Sequence, residues 1–134
     1  MINILLVSQE KIIFKKIKAA FSKDKTDTQW VDSAQKALAT LSHKKFDLFI
    51  ISEDLSDMTG RQLIEKALFQ DAMMNSVVLS QLSHKDFHEA YEGFGVLMQF
   101  PLEPEMQDVA NLMDHLDRIN KIAGKTNSVK GEKN

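Results

Sequence analysis

Residues 46–60 read Phe-Asp-Leu-Phe-Ile-Ile-Ser-Glu-Asp-Leu-Ser-Asp-Met-Thr-Gly. The first six of these residues form a short, mostly apolar run, which is typical of a strand buried on both faces of a parallel sheet. A polar loop follows and ends at Gly60, and apolar residues at helical spacing continue from there to Phe69. The segment therefore predicts a buried strand whose carboxyl end opens into a loop and then a helix.

The same unit recurs along the chain on both sides of this segment. Strands are predicted at 2–7, 27–32, 46–51, 76–79 and 96–98, and helices at 10–23, 33–41, 59–69, 83–92 and 103–123. This βαβαβαβαβα order predicts an α/β fold with a parallel sheet covered by helices on both faces. Functional residues in such sheets lie where the strands end, which here means residues 8–10, 52–54, 80–81 and 99–101.

Length and composition limit the class of protein. The chain has 134 residues, which suits one domain, predicted at 1–123, and residues 124–134 lack apolar periodicity and are predicted to be disordered. Cysteine is absent, and 17 basic residues against 19 acidic ones leave no concentrated basic face for nucleic acid. No apolar run approaches the ~20 residues of a membrane span and no signal peptide is present, so we expect a cytoplasmic protein that binds neither nucleic acid nor membrane.

At its strand ends the chain resembles the CheY-like receiver domain of bacterial response regulators. The resemblance covers residues 2 to about 120 and rests on four pieces in order: 4–7 followed by a polar pair, 46–60 with its final Met-x-Gly, 76–80 ending in a hydroxyl residue, and 96–101 in place of a run ending in Lys-Pro. It implies a doubly wound, flavodoxin-like fold with a five-stranded parallel sheet of order 2-1-3-4-5 and five helices. It also implies a role in two-component, or phosphorelay, signalling.

The family's chemistry needs particular residues, and most of them are absent here. Receiver domains hold Mg²⁺ with an acidic pair and an acceptor Asp, and they orient the phosphoryl group with a hydroxyl and a Lys. On this chain the acidic pair falls on Ser8 and Gln9, the acceptor on Ser52, the hydroxyl on Ser80 and the Lys on Phe100. Only Ser80 keeps the family's chemistry. Because the family's Lys–Pro bond is typically cis, the bond between Phe100 and Pro101 is a candidate for the cis form.

These replacements predict a degenerate pseudo-receiver that is not an enzyme and has no catalytic residue. An uncharged pocket gives Mg²⁺ little reason to shed water, so we expect no cofactor, and a Ser52 hydroxyl would need a neighbouring base to act as a nucleophile. The Phe100 ring is expected where phosphate oxygens would sit. Glu10 and Asp54 are the weaker candidates for a displaced metal site, with Glu53 as a third ligand.

The preferred interpretation is a stand-alone pseudo-receiver that acts as a phosphorylation-independent protein-interaction module. The resemblance places the partner surface on the fourth helix, the fifth strand and the fifth helix, with a homodimer as one form of the complex. The family's aromatic switch position falls on Leu97. The candidates for this partner surface are Tyr91, Leu97, Leu112, Ile119 and Ile122.

The residues are also compatible with two alternatives. One is a small-molecule sensor whose neutral strand-end pocket is lined by uncharged residues, and a sizeable pocket there would favour it. The residues predicted to line that pocket are Ser8, Gln9, Ser52, Ser80 and Phe100. The other is an atypical phospho-acceptor that uses Glu53 or Asp54.

Overall fold

The computed structural model describes residues 1–21 and 26–131, of which 120–131 are described as backbone only. The elements are β1 (Ile2–Val7), α1 (Lys11–Ala20), β2 (Thr26–Val31), α2 (Ala34–Leu41), β3 (Leu48–Ser52), α3 (Gly60–Gln70), β4 (Asn75–Leu79), α4 (His84–Tyr91), β5 (Val96–Phe100) and α5 (Met106–Gly131). The strands pair in parallel in the order β2-β1-β3-β4-β5. This is the fold class, strand order and helix number that the sequence and the resemblance predicted.

The core lies on both faces of the sheet. Because successive side chains of a strand point to opposite faces, Leu5 and Val7 of β1 pack with α2, α3 and α4, whereas Ile4 and Leu6 pack with α1 and α5. The central strand β3 is buried along its apolar run, as expected for a strand covered on both sides. This double cover fixes the strand ends and the loops that follow them.

Side-chain caps set where three of the helices begin. Ser33 accepts a hydrogen bond from the backbone N–H of Lys36 at the start of α2. Thr59 and Gln62 form a reciprocal capping box at the start of α3, and Ser83 caps α4. These caps satisfy backbone N–H groups that the start of a helix leaves without intrahelical partners.

Gly60 is required by the close approach of α3 to β3. A Cβ atom at this position would lie 2.6 Å from the backbone oxygen of Ser52, and the Gly60 N–H donates to the backbone oxygen of Glu53 at 2.8 Å. Any side chain would push the helix away from the strand end. The glycine of the Met-x-Gly motif therefore shapes the loop after Ser52.

Two helix ends differ from the predicted ones. α5 continues to Gly131 and so passes its predicted end at about Ala123 through most of the segment predicted to be disordered, while 132–134 lie outside the described residues. The apolar periodicity of residues 124–131 is too weak to predict a helix there. These residues extend the helix that begins at Met106. α1 ends at Ala20, and its predicted end at Lys23 also falls outside the described residues.

Candidate functional site

A cleft of about 520 Å³ opens at the carboxyl ends of the strands. The loops after β1, β3, β4 and β5 and the first turns of α1 form its walls. Its lining residues are Gln9, Glu10, Ile12, Ile13, Lys16, Ser52, Glu53, Asp54, Leu79, Gln81, Leu102, Glu103 and Pro104. Of the five side chains predicted to form a pocket here, the lining therefore includes Gln9 and Ser52.

Gln9 links the loop after β1 to the loop after β3. Its side-chain amide donates a hydrogen bond to the backbone oxygen of Asp54 at 3.0 Å. That carbonyl lies two residues beyond Ser52, at the position where the resemblance implies a backbone ligand to the metal. The Gln9 amide N–H therefore occupies the place at this carbonyl oxygen that a metal ion would take in such a site.

The Glu53 side chain is hydrogen-bonded to a residue of α4. The Tyr91 hydroxyl donates to a Glu53 carboxylate oxygen at 2.9 Å, and the Tyr91 ring packs on Phe87 with centroids 4.8 Å apart. Burial raises the pKa of Tyr91 above its ordinary range, and the adjacent Glu53 carboxylate raises it further. The phenol is therefore a neutral donor that holds the first residue after Ser52. The sequence analysis missed this pair, since nothing in the spacing of residues 53 and 91 indicates contact.

Ser8 lies beneath the cleft instead of lining it. Its side chain is buried and donates to the backbone oxygen of Glu10 at 2.9 Å, while the Trp30 indole N–H donates to the Ser8 backbone oxygen at 3.0 Å. A serine at a strand end commonly turns back onto its own loop in this way. The prediction that Ser8 lines the pocket is wrong.

Ser80 is also buried and serves the loop after β4. Its hydroxyl accepts from the backbone N–H of Leu82 at 3.0 Å. The Gln99 amide donates to the backbone oxygens of Leu82, at 2.8 Å, and of Ser80, at 3.2 Å. The hydroxyl that the family would offer to a phosphoryl group is thus used to fix a loop, and Ser80 does not line the cleft.

Phe100 does not bring its ring into the cleft, contrary to the sequence-based expectation. Its side chain is buried in the core cluster with Ile17 of α1 and Val109 of α5. An apolar ring gains more from that core than from the polar strand ends. The Phe100–Pro101 bond is trans, since the described residues contain no cis peptide bond, so the cis candidate is not borne out.

The cleft is acidic, which corrects the prediction of a neutral pocket at the strand ends. Carboxylates are contributed by Glu10, Glu53, Asp54 and Glu103. The one ammonium group in the lining, on Lys16, lies 4.0 Å from the Glu103 carboxylate. Among the described residues, no group of three or more His, Cys, Asp or Glu side chains is placed to hold a metal ion. Glu10 and Asp54 thus line one cleft without forming such a cluster.

Asp57, in the loop between β3 and α3, reaches the start of α2. Its carboxylate accepts from the backbone N–H groups of Gln35, at 2.8 Å, and Ala34, at 3.0 Å. Hydrogen bonds from Gln35 and Ala34 lower the pKa of Asp57 below its ordinary value. Sequence reasoning missed this contact, which spans 22 and 23 residues of chain.

Two of the predicted partner-surface residues belong to the core. Leu112 is 0% exposed and Tyr91 is 6% exposed, so neither side chain can meet a partner on this surface. Both lie on the helix face that packs against the sheet, whereas Leu97 and Ile119 are half-buried. The side chain of Ile122 lies outside the described residues.

None of the helices in the described part of the chain has the length and apolar character needed to cross a membrane.

No known protein-family model and no curated protein matches this sequence. Solved structures do match it. A CheY-like receiver domain protein from Methanospirillum hungatei JF-1 is 20% identical with a TM-score of 0.79, over 90% of this chain and 98% of that one. A two-component response regulator from Clostridium difficile is 17% identical, with a TM-score of 0.79 over 90% and 99% of the two chains. The chemotaxis response regulator CheY4 of Vibrio cholerae is 14% identical, with a TM-score of 0.78 over 86% and 98%. The chain therefore has the fold of the CheY-like response regulator receiver domains.

Proposed function

We propose that this chain is a pseudo-receiver of two-component signalling that acts as a phosphorylation-independent protein-interaction module. The observation that carries the proposal is the hydrogen bond from the Gln9 amide to the Asp54 carbonyl. In a phosphorylatable receiver, that carbonyl and the aligned acids would face Mg²⁺. Here Gln9 and Ser52 stand at two of the acidic positions, and the amide already satisfies the carbonyl.

Forming a metal site from the remaining carboxylates of the cleft would cost free energy. Mg²⁺ demands nearly octahedral oxygen ligands and gives up water reluctantly. Glu53 is engaged by the Tyr91 hydroxyl, and a cation at the Asp54 carbonyl would have to displace the Gln9 amide. The same contacts weigh against the proposal that Glu53 acts as an atypical phospho-acceptor, because its carboxylate is already hydrogen-bonded.

The loops around Ser52 are held by side chains in place of a phosphoryl group. Gln99 fixes the loop after β4, and Tyr91 fixes α4 to the residue after Ser52. A module of this kind presents one constant surface on α4, β5 and α5, which includes Leu97 and Ile119. Its partner would be another signalling protein or a second copy of the chain.

Amide NMR during addition of Mg²⁺ and then beryllofluoride, a phosphate mimic, tests the proposal. We expect no saturable shifts at residues 8–10, 52–54 and 80, whereas a receiver domain with an acceptor Asp, measured in parallel, should respond. Acetyl phosphate should likewise add no phosphoryl group to the intact mass. Saturable shifts, or a phosphoryl group mapped to Glu53 or Asp54, would refute the loss of phosphorylation.

A second candidate function, small-molecule binding at the strand ends, is supported by one observation. The cleft is open to a volume of about 520 Å³ and is not filled by Phe100. Small-molecule sites generally span about 300–1,000 Å³. This candidate is compatible with the first, since a ligand in the cleft would contact the same loops that set the outer surface.

A further inference from the structure

Part of the strand-end cleft is an apolar groove between α1 and the loop after β5. Ile12 and Ile13 line it from the helix, and Leu102 and Pro104 line it from the loop. Ile12 is 58% exposed and Leu102 is 40% exposed, although both are large aliphatic side chains. Exposed aliphatic side chains that meet in a concave site are typical of a surface that an apolar ligand covers.

The net charge of the cleft beside this groove determines which charged group a bound ligand can carry. Four carboxylates line the cleft against one ammonium group, and that ammonium, on Lys16, is paired with Glu103. Glu10, Glu53 and Asp54 carry the charge left after that pairing, and of these Glu10 and Asp54 are exposed. A phosphate or carboxylate ligand would be repelled by this field, whereas a cation would be attracted.

We propose that the cleft binds a small organic cation, specifically a protonated amine carried on an apolar body. The apolar body would cover Ile12 and Leu102, and the ammonium group would lie near the Glu10 and Asp54 carboxylates. The inference names a ligand class for the second candidate function. It does not depend on the loss of phosphorylation, because it uses the acids and the apolar wall and not the metal position.

Three probes with the same aromatic body separate charge from shape. Phenethylamine is a cation, 2-phenylethanol is neutral and 3-phenylpropionate is an anion, and each is titrated into the full chain with amide NMR at residues 9–13 and 102–103. The amine should give saturable shifts that weaken with added salt. The alcohol should bind about two- to fivefold more weakly than the amine, and the carboxylate should give no saturation.

Variants assign the binding to these residues. Glu10→Gln combined with Asp54→Asn should reduce the affinity for phenethylamine to that for 2-phenylethanol, and Leu102→Ser should weaken both. Glu65→Gln, an exposed acid on α3 outside the cleft, is the matched control and should change neither. Tighter binding of the carboxylate, no saturation by the amine, or unchanged amine binding in the double variant would each overturn the inference. A silent amine together with silent Mg²⁺ and beryllofluoride would remove this ligand and leave the interaction module standing.

Discussion

Single side chains decide what the strand ends of this receiver fold can bind. Gln9 is the clearest case, because one amide joins two loops at a carbonyl that a metal-binding receiver would leave for the cation. A neutral donor stabilises the loops whether or not Mg²⁺ is present. The free energy of unfolding of the wild-type protein should therefore not change when Mg²⁺ is added. This behaviour should depend on residue 9 being Gln.

Gln9→Glu is expected to reverse this behaviour. The variant places a carboxylate beside the Asp54 carbonyl and loses a hydrogen bond, so it should unfold about 1 kcal/mol more easily in metal-free buffer. Mg²⁺ at millimolar concentration should restore part of the loss, measured by urea denaturation with and without the ion. Gln29→Glu, which makes the same change at an exposed position of β2, is the control. Equal responses of the two variants to Mg²⁺ would contradict the interpretation of Gln9.

Tyr91 gives a second residue-scale test, because it is the only tyrosine in the chain. Its raised pKa means that the folded state keeps the phenol protonated when the unfolded state ionises at about pH 10. The contribution of this group to stability is thus complete below pH 10 and falls as the pH rises above it. Near-ultraviolet titration should show tyrosinate in urea at about pH 10, but only at higher pH in the folded protein.

The same titration in Glu53→Gln assigns part of the effect to the hydrogen-bonded carboxylate. Removing that charge should move the onset of tyrosinate formation to lower pH, without reaching the value in urea, since burial remains the larger cause. Folded and unfolded chains that titrate together would show that the Tyr91 hydroxyl is free in solution.

At the scale of elements, loop side chains connect helices that are distant in sequence. Asp57 ties the loop after β3 to the start of α2, and with Ser33 it satisfies three of the N–H groups that a helix start leaves free. An acid at this place also interacts favourably with the helix dipole. The loop that follows Ser52 is thereby held from α2 as well as from α3.

Asp57→Ala should lower the free energy of unfolding by about 1 kcal/mol at pH 7. Because the pKa of Asp57 is lowered in the folded state, its contribution is present above the ordinary Asp pKa of about 3.9 and is lost as the pH falls below it. The difference between variant and wild type should shrink on acidification, as followed by urea denaturation from pH 7 to pH 3. Ser56→Ala, at the neighbouring exposed residue, should show no such pH dependence. A difference that stays constant over this range would exclude an ionised cap.

At the scale of the whole molecule, periodicity predicted the fold well and side-chain direction poorly. The strands and their order follow from apolar runs that have to be buried on both faces, as in residues 46–51. The direction of a side chain at a strand end is set instead by its local contacts, which the adjoining loop provides for Ser8 and Ser80 and the helices α1 and α5 provide for Phe100. For that reason Ser8, Ser80 and Phe100 were correctly placed at strand ends but wrongly placed in the cleft. Contacts such as that between Tyr91 and Glu53 carry no local signal and needed the three-dimensional structure.

The burial of Phe100 also predicts that a receiver-type phosphorylation site cannot be built into this chain one residue at a time. Its ring is part of the core shared by α1, β5 and α5, so Phe100→Lys would leave a cavity and bury an ammonium group. Losing a buried aromatic ring alone costs about 3–5 kcal/mol, and the unpaired charge adds to this. Phe100→Leu, which keeps the site apolar, should cost far less.

Urea denaturation of the two variants checks this, with circular dichroism to establish that each is folded in water. The Lys variant should unfold at much lower urea, or be unfolded without it, while the Leu variant stays close to wild type. A Lys variant as stable as the Leu variant would mean that the side chain at 100 can turn into the cleft. In that case the cleft would regain a cation at its base, and the preference for amines over anions should weaken in the same variant, which links the stability measurement to the ligand titration.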